Sequence, residues 1–281
     1  MKIYPKISPQ ECGNEMKEKI KKSEGMEIQF LNEKGITEPF NFESEVIKRK
    51  EEFPNLKEII VHPPLGNYNI ELIFLKDENI FKEQLEKLVE LSQKLNIDID
   101  FIYHTSLPVR QFISTHLDTR IKELLKIMEG TNSTILIENL FMMLDEKEEC
   151  SAIEICKHIN HPNLRCCLDT THLHCKANIL KKDFYEMINK ELNPEDCKKY
   201  IKQIHFASAL NNDGYIDKKT HGRKHQNFEE LKKEYEWLAS FGLKDKNYIT
   251  EVSEEDYFTR NDQLEEIDML ENCAYASERR V

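Results

Sequence analysis

Six acids and imidazoles stand where short apolar runs give way to polar residues. His62 follows Glu58 to Val61, His104 follows Ile97 to Tyr103, and Glu138 follows Thr134 to Ile137. Asp169 follows Leu164 to Leu168, His205 follows Tyr200 to Ile204, and Glu251 follows Tyr248 to Thr250. Every one is a metal-ligand type and none is Lys or Arg. Hard carboxylate oxygen with borderline imidazole nitrogen suits Zn²⁺, Mn²⁺ or Fe²⁺. In Asp169-Thr-Thr-His172 a strand that stops and turns can aim a carboxylate and an imidazole into one space. The competing reading of Asp169 is a turn former or helix cap. The loop His221-Gly222-Arg223-Lys224-His225 adds candidate phosphate or substrate contacts, or is simply a solvated basic loop. His174 and Cys175 are ligand types too, but their direction is not legible and they are left out.

Those positions must be held by the elements before and after them. Lys2 to Ile7 and Met26 to Phe30 read as two further strands, which makes eight with the six above. Helical stretches alternate with them: one opened by Ser8-Pro9 and running out near Gly25, then 42–52, 79–95, 120–128, 150–159, 177–192, 228–241 and 257–272. Eight strand-then-helix units in 281 residues predict a closed (β/α)8 TIM barrel, an α/β fold, over a single domain 1–281. A doubly wound open sheet is the alternative, but no Gly-x-Gly-x-x-Gly follows any strand. In a barrel all strand carboxyl ends meet at one mouth, where active sites lie. Asp169 and its companions would then converge.

Composition narrows the classes. A net charge of −12 disfavours nonspecific adhesion to nucleic acid or anionic membrane, although bound divalent cations would reverse the potential inside an acid-lined pocket. No stretch approaches a membrane span, and Met1 to Pro5 carries no apolar signal region. The eight cysteines lack Cys-x-x-Cys spacing and several sit in apolar patterns, so buried thiols and a cytoplasmic setting are expected.

With these residues in place, the chain resembles the xylose isomerase-like TIM-barrel superfamily, which holds metal-dependent sugar isomerases and epimerases and endonuclease IV-type repair enzymes. The resemblance spans essentially the whole chain. It is most specific at Ile137-Glu138-Asn139, Cys167-Leu168-Asp169-Thr170-Thr171-His172, Ile204-His205-Phe206 and Thr250-Glu251-Val252. The epimerase branch implies one metal on Glu138, Asp169, His205 and Glu251, with His172 and Arg223 touching substrate. The endonuclease IV branch implies a multinuclear zinc site that adds His62, His104 and His225 or His221. The ligand pattern is nearer that second branch. Departures from it fall at Phe206-Ala207-Ser208, Gln226-Asn227-Phe228 and Val252-Ser253.

Three readings compete. The first is a hydrolase of phosphate esters, including DNA with an abasic site, with metal ligands His62, His104, Glu138, Asp169, His172, His205, His225 and Glu251. In it Glu138 bridges metals, Arg110, Arg223 or Arg260 reaches phosphate, and Arg223 and His221 bind substrate. The second is a mononuclear sugar isomerase or epimerase in which Glu138 and Glu251 move a proton through an enediolate, with His172 catalytic beside them. The third is a non-enzyme with a structural metal, which seven or more candidate ligands exceed.

Overall fold

In a computed structural model, residues 1–30, 41–64, 69–105, 107, 109–140, 151–208, 222–254 and 256–278 are described. Nine strand segments run parallel: β1 (Lys2–Tyr4), β2 (Lys6–Ile7), β3 (Gly25–Gln29), β4 (Glu58–His62), β5 (Asp98–His104), β6 (Ile135–Glu138), β7 (Leu164–Asp169), β8 (Ile201–Phe206) and β9 (Asn247–Thr250). Their order is β1-β9-β8-β7-β6-β5-β4-β3-β2. The first and last segments of that order are two halves of the expected first strand, divided at Pro5, whose nitrogen cannot join a ladder. β1 pairs with β9 and β2 with β3, so the split strand spans the seam of a (β/α)8 barrel. Across the break, Glu27 N–H donates to Pro5 O at 2.9 Å.

The period-2 alternation of each strand sorts its side chains between barrel and helices. Tyr4, Ile60, Ile102, Leu136, Cys167 and Ile249 form a small cluster inside the barrel. Their strand neighbours, such as Ile59, Ile137, Cys166 and Tyr248, join a larger cluster that includes helix residues such as Leu85, Leu88 and Leu238. Gly25 serves the inner cluster, because a Cβ there would stand 2.4 Å from the Tyr4 ring. At the amino ends of the strands, Lys202 pairs with Asp100 at 2.5 Å and Glu58 at 3.0 Å.

The expected helices are present with local revisions. The first starts not at Ser8-Pro9 but at Asn14–Lys22. Ser8 Oγ accepts from Arg260 instead, and Gly13 O accepts from Lys17 N–H. The stretch 177–192 is two helices, Thr170–Leu180 and Phe184–Glu191. Lys181 between them takes a left-handed conformation (φ 52°), and Asp183 caps the second through Glu186 N–H. Short helices Ile70–Lys76, Val109–Ser114 and Pro194–Tyr200 were not expected. No helix among the described residues is long and apolar enough to cross a membrane, and no disulfide joins the described cysteines.

Candidate metal centre

The barrel's geometry brings the strand-end residues into one place. His62, His104, Glu138 and Asp169 are the last residues of β4 to β7, His205 is the penultimate residue of β8, and Glu251 follows β9. All six are buried. In-register pairing sets His104 beside Glu138 and Asp169 beside His205.

Four overlapping groups of potential ligands result, and two of them consist wholly of strand-end residues. Glu138, Asp169, His205 and Glu251 offer ligand atoms within 4.8 Å of one another, and so do His62, His104 and Glu138. Glu138 belongs to both. Its Oε2 lies 3.2 Å from His104 Nε2 and 3.6 Å from His62 Nε2. Its Oε1 lies 3.5 Å from His205 Nδ1 and 3.7 Å from His172 Nδ1.

The donor set fits divalent cations. His62 Nε2, both His104 ring nitrogens, His205 Nδ1, Glu138 Oε2 and Glu251 Oε2 are buried without a hydrogen-bond partner among the described residues. His205 Nδ1 nevertheless approaches Glu251 Oε2 to 2.6 Å. Each unsatisfied buried polar atom costs about 1–3 kcal/mol, which coordination would offset. Exposed acidic clusters lack this feature, since water satisfies them.

Beneath these ligands lies Glu27, in the middle of β3, where reading strand ends alone misses it. Its Oε2 meets His205 Nε2 at 2.8 Å and accepts from Gln203 Nε2 at 2.8 Å, while its Oε1 meets His62 Nδ1 at 3.1 Å. A carboxylate there accepts from both rings and turns His62 Nε2 and His205 Nδ1 toward Glu138, where a bound cation would replace the second His205 proton. Lys6, on β2, is the second omission: its Nζ donates to Glu251 Oε1 at 2.5 Å and lies 3.8 Å from Glu27 Oε1. The signal for both was an inward-phase charged residue inside a short buried strand.

The electrostatics follow from this packing. Burial opposes ionisation of Glu27, but His205 and His62 outweigh it and bring its pKa to about 2. Burial likewise opposes ionisation of Glu138 and Glu251. His205, with His104 for the former and Lys6 for the latter, holds both carboxyls well below the usual range. Burial lowers the His205 pKa, yet the surrounding Cys167, Glu251, Glu27 and Glu138 drive it well above the ordinary imidazole value.

Asp169 fulfils both readings of its position. Its Oδ1 accepts from His172 N–H at 2.9 Å and caps Thr170–Leu180, while the residue also belongs to the four-residue ligand set. His172 borders that set without joining it, because its Nδ1 donates to Asn139 O at 2.6 Å. Asn139 ties the neighbouring strand ends together, donating to Asp169 O and accepting from Asp169 N–H.

The structure does not bring His225 to the ligand sets. Its Nδ1 is engaged by Glu266, its Nε2 lies 3.4 Å from Glu234, and its ring stacks on Phe206. Burial lowers its pKa, but Glu234 and Glu266 raise it to about 10, so this ring is committed to carboxylates. Arg260 is also placed elsewhere than expected. It is buried and donates to Lys6 O, Ser8 Oγ and Gln263 Oε1, which makes it a clamp on β2 instead of a phosphate contact. Arg110 is exposed on Val109–Ser114.

Arg223 pairs through its backbone with Ser208, and Gly222 (φ +69°) packs so closely on Glu251 O that a Cβ would stand 2.3 Å away. Gly222 is thus seated against a ligand-bearing segment. His221 lies outside the described residues.

Residues 23–273 match the sequence family described as xylose isomerase-like TIM barrel. The chain belongs to this family. No curated protein matches it in sequence. Solved structures of this fold include a D-tagatose 3-epimerase-like protein (18% identity, TM-score 0.55, covering 100% of this chain and 99% of that one). The IOLI protein with a bound zinc atom aligns at 15% identity and TM-score 0.61, covering 98% and 99%. An AP endonuclease, family 2, from Brucella melitensis aligns at 15% and 0.57, covering 96% and 98%. At these identities the likeness is one of fold.

Proposed function

We propose that this chain is a metal-dependent hydrolase of phosphate esters, with two adjacent cation sites that share Glu138. The observation that carries the reading is the division of Glu138 between two ligand sets, one with His62 and His104, the other with Asp169, His205 and Glu251. Charge balance supports it. Glu27, Glu138, Asp169 and Glu251 against Lys6 leave three negative charges in a buried space once coordination holds the imidazoles neutral. One divalent cation would leave that space negative and hostile to phosphate; a second removes the excess negative charge.

Bound cations would supply hydroxide near neutral pH and Lewis-acid stabilisation of charge developing on phosphoryl oxygens. The chain's own residues prepare the rest. Glu27 fixes the tautomers of His62 and His205. Lys6 keeps Glu251 ionised, which makes it a ligand and not an acid. His172, with Nδ1–H committed to Asn139 O, carries Nε2 as its proton acceptor. Gly222, packed on Glu251 O, is followed by Arg223, whose backbone pairs with Ser208.

A second reading, a mononuclear sugar epimerase, is favoured by the four-residue set alone and by the names of several structural neighbours. The test is direct. Chelator-free protein is assayed for zinc-restorable hydrolysis of a chromogenic phosphodiester and of abasic-site DNA. In parallel, ketoses are incubated with it in deuterated water. Phosphoester turnover abolished by chelation supports the hydrolase; solvent exchange at a sugar C–H without phosphoester turnover replaces it with the epimerase.

A further inference from the structure

Inside the barrel, one layer below the strand-end ligands, stands a thiol. Cys167 and Asp169 are two residues apart on β7, so both point inward, while Cys166, in the opposite phase, faces the helix layer. The other members of the inner cluster are Tyr4, Ile60, Ile102, Leu136 and Ile249. The thiol sulfur also lies within 4.8 Å of ligand atoms of both Glu138 and His205.

The backbone has been adjusted at this residue. Cys167 is level with Glu138 on β6, and on the other side the β7–β8 register slips between Cys166 and Cys167. Such irregularities re-aim a side chain, and they recur beside active sites. The sulfur stands beside a buried ring that faces carboxylates: His205 Nδ1 lies 3.5 Å from Glu138 Oε1 and 2.6 Å from Glu251 Oε2. Sulfur, nitrogen and carboxylate oxygen together form a three-donor set distinct in character from the oxygen-rich one at the mouth.

We propose that Cys167 is an inner-sphere ligand of the cation held by Glu138 and His205, supplying one thiolate from the barrel floor. This rests on the two-cation reading above and deepens it by naming the metal class. A thiolate selects thiophilic ions such as Zn²⁺ and Co²⁺ over Mn²⁺ and Mg²⁺, which prefer all-oxygen or nitrogen–oxygen shells. Coordination releases the thiol proton to solvent and forms one metal–sulfur bond.

Zinc-edge X-ray absorption on the wild-type protein, purified without chelators, tests this without a variant. The expected result is a sulfur scatterer at about 2.3 Å beside nitrogen and oxygen scatterers, at one sulfur for every two zinc ions. Replacing zinc by Co²⁺ should give a near-ultraviolet sulfur-to-cobalt charge-transfer band. That band should vanish in Cys167→Ala and persist in Cys166→Ala, whose thiol faces the helices. A shell of nitrogen and oxygen alone, or a band that survives Cys167→Ala, overturns the thiolate and leaves the metal site standing. Protein that takes up no zinc overturns both this proposal and the reading on which it rests.

Discussion

Replacing Glu27 with Gln tests how the site is prepared, and the structure gives the outcome in detail. Glu27 accepts at both oxygens: Oε2 serves His205 Nε2 and Gln203 Nε2, and Oε1 serves His62 Nδ1. Gln offers one acceptor and one donating NH₂. Turning the NH₂ toward Oε2's partners would oppose it to the Gln203 amide donor, so the NH₂ must face His62. His62 Nδ1 must then become the lone pair, and its proton moves to Nε2, 3.6 Å from Glu138 Oε2. The ring is lost as a ligand without moving. Loss of such an orienting partner weakens metal binding about 10- to 100-fold, or roughly 1.4–2.7 kcal/mol. The loss should fall on the His62–His104–Glu138 set, with the Asp169–His205–Glu251 set nearly unchanged. Competitive chelator titration, resolving the two equivalents, is the assay. Wild-type affinity at both, or a loss confined to the other equivalent, would refute the assignment of tautomers.

Three further outcomes follow. His225→Ala takes the ring from Glu266 and leaves Glu234 with His174 at 2.9 Å, and breaking a buried pair costs about 3–5 kcal/mol; chemical denaturation should show this while metal content stays at the wild-type value, whereas a fall in metal content would make His225 a ligand. Gly222→Ala forces a Cβ against Glu251 O at a positive φ, so metal affinity and thermal stability should both drop, and a variant equal to wild type would show that the loop can shift without disturbing Glu251. Burial raises the Asp100 pKa to about 7, with Lys202 opposing and Glu58 adding to it. Its stabilising contribution is therefore complete below the unfolded value near ~3.9 and is lost as pH rises toward about 7. Asp100→Asn removes that titration. The variant's Tm should gain on the wild type across that window, and parallel Tm–pH curves would contradict it.

How much the sequence disclosed depended on the range of the interaction. His62, His104, Glu138, Asp169, His205 and Glu251 were legible because strand ends interrupt an apolar pattern with ligand types, and barrel topology does the gathering. Glu27, Lys6 and Cys167 were not, because their partners lie on strands remote in sequence and only the closed barrel shows that an inward phase means contact. His225 and His221 had equal standing by spacing; Glu234 and Glu266, which claim His225, come from two later helices. Pro5 was visible, but only the pairing of its two flanking halves showed that it divides the first strand. The division of 177–192 turned on a left-handed Lys181, a residue type that carries no turn signal.

Metal content of chelator-free protein, counted per chain by elemental mass spectrometry, bears most directly on the centre shared by Glu138. Two divalent ions per wild-type chain, with one lost selectively in His62→Ala, is the expected result. A wild-type count of one or fewer, unchanged by His62→Ala, would contradict it.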